Sequence, residues 1–417
     1  MDIIELIVSG LIGAVLGYVF NEFVDYLRKK HQELVTSQNN RNLLEELSNK
    51  DYSLNENGII PLAHGTPFYF DGDIQGYITD KRFYFPIPQT EPIIDKLTTY
   101  GFVQDSRHNP DFKYTDDVNC LSDNFWGKEV FDHGFGFFGN NTWDSETKKE
   151  LEIVAEDVAN QFISDLESGK VRFNGAMFGV SSFNPNRSLG EELPTAQIFF
   201  YKTDYFTYRV FSQYYLNHRT VFLSKEIVPE MINHLAFPFL TSFGISVIAV
   251  ISRNHEEEKL SESDVLIVGR RSQHVVVDRG LLHFTMNEAF SCRDTIYNNP
   301  SFDLCVSRGF NEELKWTKEI KGLTFSKCKF MDFFFDSNKC EMGLTGYIKL
   351  TIDESLSVQK LYELYKESQD GILETEGLEF VEIDKVFAYY QENKNKMSAG
   401  FATVLECFLR RYNNDLL

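Results

Sequence analysis

Hydrophobic and polar positions are distributed unevenly along this chain. Residues 3–20 read IIELIVSGLIGAVLGYVF, an apolar run with one charge, Glu5. At about 1.5 Å of rise per residue, a helix of that length reaches across a hydrocarbon core of about 30 Å. The run therefore predicts a single transmembrane helix. Glu5, Ser9, Gly13, Gly17 and Asn21 recur at every fourth position and fall on one slowly winding stripe. Small residues at that interval let helix backbones touch where lipid offers no hydrophobic advantage, so the stripe is the predicted packing or pore-lining face of a self-associating span. Arg28, Lys29 and Lys30 follow directly, which places the amino terminus outside and the remainder in the cytoplasm. A cleaved signal peptide fits less well, because acids rather than cations precede the run and Asn21, Glu22 and Phe23 follow it.

Beyond the span, Phe23, Val24, Tyr26 and Leu27 continue the helical period as a stalk to residue 31. Residues 32–57 read as a connecting helix and linker. From 58 to 139 the chain is rich in Gly, Pro, Phe and Tyr, which predicts short strands and turns. Asp144 or Ser145 can cap a helix to about residue 168, with Leu151, Val154, Val158, Phe162 and Leu166 on one face and Gly169 as its stop. The aromatic run at 196–223 is not resolved by periodicity, and its rings are assigned to core or interface rather than to base stacking. Strands are predicted at 245–251, 265–268, 274–277, 330–335 and 346–352, with a turn at Arg279 and Gly280. Helices are predicted at 299–316, opened by an Asn cap with Pro300 in the first turn, at 356–367 and at 386–411. The expected fold class is a single amino-terminal transmembrane helix carrying cytosolic mixed α/β domains. The expected divisions are 1–31 for span and stalk, 32–57 for the linker, 58–240 for an aromatic-rich α+β domain and 241–417 for an α/β domain.

Composition adds limits. A chain of 417 residues that is 42 % hydrophobic and 15 % aromatic, with 11 prolines, can bury a sizeable core. A net charge of −21 disfavours duplex nucleic acid, whose binding depends on cation clusters displacing counterions. The six cysteines lack the paired spacing of zinc or redox sites and read as reduced core residues.

Candidate chemistry gathers late in the chain. Arg308, Glu312 and Glu313 share one predicted helix, Arg308 and Glu312 at i, i+4 where they can pair, and Glu288 lies in a predicted loop that could approach them. Clustered carboxylates suit magnesium, which in turn binds phosphates. Cations for an anionic ligand are Arg270, Arg271, His274, Arg279 and Arg308. Adjacent strand residues point to opposite faces, so at most one of Arg270 and Arg271 should face a pocket if the strand continues through them.

The stretch RGFNEELKW, residues 308–316, resembles the helical half of the Nudix box, the signature of hydrolases that cleave nucleoside diphosphates linked to another group. VLIVGRRS, residues 265–272, is similar to the strand that leads into that box. The resemblance covers about the last 175 residues at most. It implies that Arg308 is the box arginine, that Phe310 and Trp316 are its hydrophobic positions, and that Glu312 and Glu313 are its metal-binding pair. It also exposes departures: Gly309 replaces the first helix carboxylate, Lys315 replaces the later glycine, TMNEAFS replaces the glycine-containing turn, and nineteen residues separate Glu288 from Arg308. These departures imply a pocket that binds a nucleotide without cleaving it, with no cofactor required and magnesium only where the Nudix-like site is filled.

A short anchor joined to such a domain resembles membrane effectors of bacterial anti-phage signalling systems, including Hailong-type channel proteins. That resemblance implies a homo-oligomeric, single-pass protein of the bacterial inner membrane. Its expected partners are itself, the bilayer and a nucleotide or oligonucleotide signal, and its expected output is ion conduction or membrane disruption. The alternative expectation is a membrane-anchored Nudix-type hydrolase in which Glu288, Glu312 and Glu313 are catalytic.

Overall fold

Phe243–Ser252 is buried at all ten positions, as a near-continuous apolar strand must be when both faces of its sheet are covered. Its surroundings follow from the computed structural model, which describes residues 59–61, 73–82, 84–100, 145–169, 174–186, 195–219, 240–253, 259–273, 275 and 278–413. The chain divides into two compact units, Met1–Asp51 and Tyr52–Leu417, and every described residue belongs to the second. The expected membrane face of Glu5, Ser9, Gly13, Gly17 and Asn21 lies outside the described residues, as do the 32–57 linker and the whole of the predicted 274–277 strand except Val275. Among the described residues no helix is long and apolar enough to cross a membrane.

In chain order the strands are β1 (Ile59–Pro61), β2 (Asp73–Arg82), β3 (Ala176–Asn186), β4 (Thr195–Asp204), β5 (Phe243–Ser252), β6 (Val265–Arg271), β7 (Leu282–His283), β8 (Met286–Ala289), β9 (Thr295–Ile296), β10 (Asn299–Pro300), β11 (Leu323–Phe325), β12 (Lys329–Asp336), β13 (Glu341–Ile352) and β14 (Thr375–Glu382). The helices are α1 (Ile93–Thr99), α2 (Ser145–Glu167), α3 (Tyr205–Asn217), α4 (Phe302–Leu314), α5 (Val358–Lys366), α6 (Gln369–Glu374), α7 (Val386–Asn393) and α8 (Ala399–Asn413).

Two sheets organise the body. The larger runs β1-β12-β13-β5-β6-β14, with β11 against β13, β7 against β6 and β8 against β5. Its central pair, β5 and β13, is parallel over Phe243–Ser252, whereas β6 and β8 meet β5 antiparallel. The smaller sheet runs β2-β4-β3. One core cluster draws on both sheets: Phe200 of β4 lies 5.2 Å from Phe243 of β5 and 5.1 Å from Phe290, ring centre to ring centre. The expected division at residue 240 therefore falls inside a shared core, and β1, from the nominally earlier domain, completes the edge of the large sheet beside β12.

The aromatic run resolves at Asp204. Its carboxylate accepts from Thr207 N at 2.8 Å and from Asn174 Nδ2 at 3.0 Å, so the chain ends β4 and begins α3 at a side-chain cap. Phe206, Val210, Phe211, Tyr214 and Tyr215 then face the core. The α2 helix ends at Gly169, whose φ of +79° is the left-handed conformation glycine adopts freely.

Three predicted boundaries shift. The helix expected to begin at Asn299 begins at Phe302, because the Ser301 side chain accepts from Leu304 N, while Asn299 and Pro300 pair with β9 instead. The helix expected over 386–411 is two, α7 and α8, separated by a tight 3₁₀ turn at Lys394–Lys396 and an extended Met397. Glu288, expected in a loop, sits on β8, where Ile245 of β5 is its cross-strand partner.

Candidate functional site

Arg308 is the hub of the site. Leaving α4 toward β8, its Nε and Nη2 donate side-on to the two oxygens of Asp294, at 2.9 Å each. Nη1 lies 3.0 Å from both Glu288 Oε1 and Glu312 Oε2, and Nη2 also donates to the Ala289 carbonyl at 2.9 Å. All three nitrogens are therefore engaged by groups of this chain. Asp294 is fully buried, with Ser291 N donating back to it at 2.8 Å. Although burial opposes its charge, Asp294 and Glu288 hold the Arg308 guanidinium even more firmly protonated than usual.

The sequence pairing of Arg308 with Glu312 and the approach of Glu288 are thus seen in space. Asp294 was not among the sequence candidates. It lies in the stretch that lengthens the connection between Glu288 and Arg308, and only the fold-back of that stretch, through the β9–β10 hairpin, brings it to the guanidinium. A Ser-x-x-Asp turn at Ser291–Asp294 is the one local signal that pointed to an ordered acid there.

Glu313 faces away from Glu312, as neighbours on a helix do. It is 6 % exposed, and its Oε1 accepts from Asn287 N at 3.2 Å. Burial first, then the nearby Glu374 and Glu288, pushes its carboxyl well above the usual range and favours the protonated form. Burial likewise pushes Glu288 up to about 7, against the pull of Arg308.

At Gly309, a Cβ would lie 2.6 Å from Met286 Sδ, 2.8 Å from its Cγ and 3.3 Å from Glu288 Cβ. The helix therefore touches the strand through its glycine, and a side chain at the position where the Nudix box carries its first helix carboxylate would have to displace Met286. The box glycine is replaced by Lys315, which nonetheless adopts the glycine conformation: it caps α4 at φ +56°, with its N–H on Asn311 O at 3.0 Å. Phe310 and Trp316 are buried as the box pattern implies.

Magnesium needs near-octahedral oxygen donors at about 2.0–2.1 Å. Here Glu288 and Glu312 are committed to Arg308, Glu313 is bound to a backbone amide in a buried setting, and position 309 offers nothing. The residues in this arrangement do not fit a magnesium centre, and among the described residues no group of three or more His, Cys, Asp or Glu is placed to hold a metal ion.

The site opens into a cleft of about 490 Å³ between the β8–α4 region and the start of α3, a volume within the small-molecule range. Of the sequence-predicted cations, Arg271 and Arg308 line it. Arg270 points to the other face of β6 and pairs with Glu379, as the alternation of a strand requires. Arg279 is exposed and donates to the Val275 carbonyl at 2.6 Å, and His274 lies outside the described residues. Sequence reasoning missed Arg293, Lys339 and the α3 tyrosines Tyr205 and Tyr208, which also line the cleft.

No family model matches this chain and no curated protein matches it. Among solved structures, one from Deinococcus radiodurans is similar at 11 % identity and a TM-score of 0.26, over 40 % of this chain and 81 % of that one. A MutT/Nudix family protein from Listeria innocua is similar at 9 % identity and a TM-score of 0.27, over 42 % of this chain and 94 % of that one. Likeness at these values does not bear on activity or substrate.

Proposed function

We propose that the body downstream of the anchor is a ligand-sensing unit of Nudix-like design that binds a nucleotide-like molecule without cleaving it. In this reading the ligand controls a homo-oligomeric, single-pass membrane helix whose output is ion conduction or membrane disruption in bacterial anti-phage defence. The observation that carries the non-hydrolytic part is the contact of Gly309 with Met286, which takes the volume a catalytic carboxylate would need. The membrane part is supported by the apolar run at 3–20 and its stripe of Glu5, Ser9, Gly13, Gly17 and Asn21.

A Nudix-type hydrolase would require Glu312 and Glu313 to converge on one ion. Their commitment to Arg308 and to Asn287 N works against it. The test is calorimetry and product analysis on one sample: purified full-length protein with magnesium and a panel of nucleoside mono-, di- and triphosphates and dinucleotides. The proposal expects binding heat with no product. Product that disappears in Glu312→Gln would overturn it in favour of the hydrolase.

A further inference from the structure

We infer that the cleft selects a ligand of low negative charge with several hydrogen-bond donors, a nucleoside monophosphate type rather than a di- or triphosphate. This rests on the reading of the cleft as a nucleotide-type site and specifies its ligand. The ground is the charge pattern of the lining, in which Arg271, Arg293, Arg308 and Lys339 are balanced by Glu288, Glu312, Glu341 and Glu374.

Three of the four cations are already neutralised by this chain. Arg271 Nη1 lies 2.9 Å from Glu374 Oε2. Arg308 is held by Asp294, Glu288 and Glu312. Lys339 lies 3.5 Å from Asp278 and 3.6 Å from Asp336. Arg293 is different: it is exposed at the cleft, and among the described residues no acid pairs with its guanidinium. One guanidinium fork matches one phosphate or carboxylate.

A polyphosphate would extend from Arg293 into a lining whose other three cations are already paired with carboxyl groups of this chain, so its further charges would meet no free cation. The same carboxyl groups are good acceptors for ring amino, imino and hydroxyl donors. Tyr205 and Tyr208, with ring centres 6.0 Å apart in the lining, add aromatic surface. One face of Tyr205 is already stacked on Phe162 at 5.8 Å. Arg271 Nε is buried without an acceptor in this structure.

The test is isothermal titration of the full-length protein with a nucleoside, its 5′-monophosphate and its 5′-triphosphate, for both a purine and a pyrimidine. The monophosphate should bind at least about tenfold more tightly than the triphosphate. Arg293→Gln should reduce monophosphate affinity toward that of the nucleoside, and Glu312→Gln should narrow the gap to the triphosphate. A triphosphate that binds more tightly, or a monophosphate preference that survives Arg293→Gln, would overturn this inference while leaving the ligand-site reading in place. Absence of binding by every compound in the panel would overturn both.

Discussion

Gly309 on α4 and Met286 on β8 approach so closely that a Cβ on the glycine would meet the methionine sulfur at 2.6 Å. The helix is seated on the strand by the absence of a side chain, at the position where a Nudix box places an acid. Overpacking of this kind costs about 1–3 kcal/mol. Gly309→Ala should lower the urea unfolding midpoint by less than that equivalent, because alanine regains about 0.5–1 kcal/mol of helix preference over glycine, and Gly309→Glu should lower it further without creating hydrolysis. In a double-mutant cycle, Gly309→Ala should cost less in a Met286→Ala background than in the parent, because the contested volume is then vacant. A neutral Gly309→Ala would show that the helix is free to stand off the strand.

Lys315 supplies a test of opposite sign. It holds the left-handed cap of α4 with a side chain attached, a conformation that costs non-glycine residues about 1–2 kcal/mol. Lys315→Gly should raise stability by about 0.5–1 kcal/mol after the added freedom of the unfolded chain is subtracted. The readout is again the denaturation midpoint, which should move upward.

The clamp on Arg308 should be expensive to open. Asp294 is fully buried and binds the guanidinium with both oxygens. Removing one partner of a buried pair leaves the other charge uncompensated, at about 3–5 kcal/mol. Asp294→Ala should approach the lower end of that range, because Glu288 and Glu312 remain. A loss under about 1 kcal/mol would mean the clamp is a surface contact.

Stability should also depend on pH in a defined direction. Burial raises Glu288 to about 7 and Glu313 well above its ordinary value. The folded state then binds more protons than the unfolded state above the unfolded carboxyl range, so the slope of unfolding free energy against pH is negative there. Stability should decline as pH rises from about 4.5 through 7. Glu313→Gln, a neutral isostere of the protonated acid, should flatten that decline and be at least as stable as the parent at pH 8. An undiminished slope in Glu313→Gln would place the buried proton elsewhere.

Much of the large sheet was legible from sequence. The apolar runs of β5 and β13 and the aromatic run of β12 are dense enough to declare strands, and the α2 stripe and Gly169 declare a helix and its end. The Arg308–Glu312 pair was legible because four-residue spacing on a helix is a local rule. What escaped was set by contacts distant in sequence or by competing caps. Ser301 outcompeted Asn299 as the start of α4, and Asp204 divided an aromatic run whose strand and helix are equally apolar. Arg293, Lys339 and Glu374 come from three separate segments, and no periodicity predicts their meeting around one cleft. Gly309 was visible as a departure from the box, but the reason for it, the side chain of Met286, became visible only in three dimensions.

Sensing without cleavage, coupled to the membrane, is tested in one vessel by dye-loaded liposomes carrying the full-length protein, with leakage and nucleotide hydrolysis followed together. Leakage should change when a nucleotide is added, disappear in the double variant Gly13→Leu with Gly17→Leu, and persist in Glu312→Gln and Glu313→Gln, with no product formed in any sample. Intact liposomes under every condition, accompanied by nucleotide cleavage that the Gln variants abolish, would make the protein a tethered hydrolase instead.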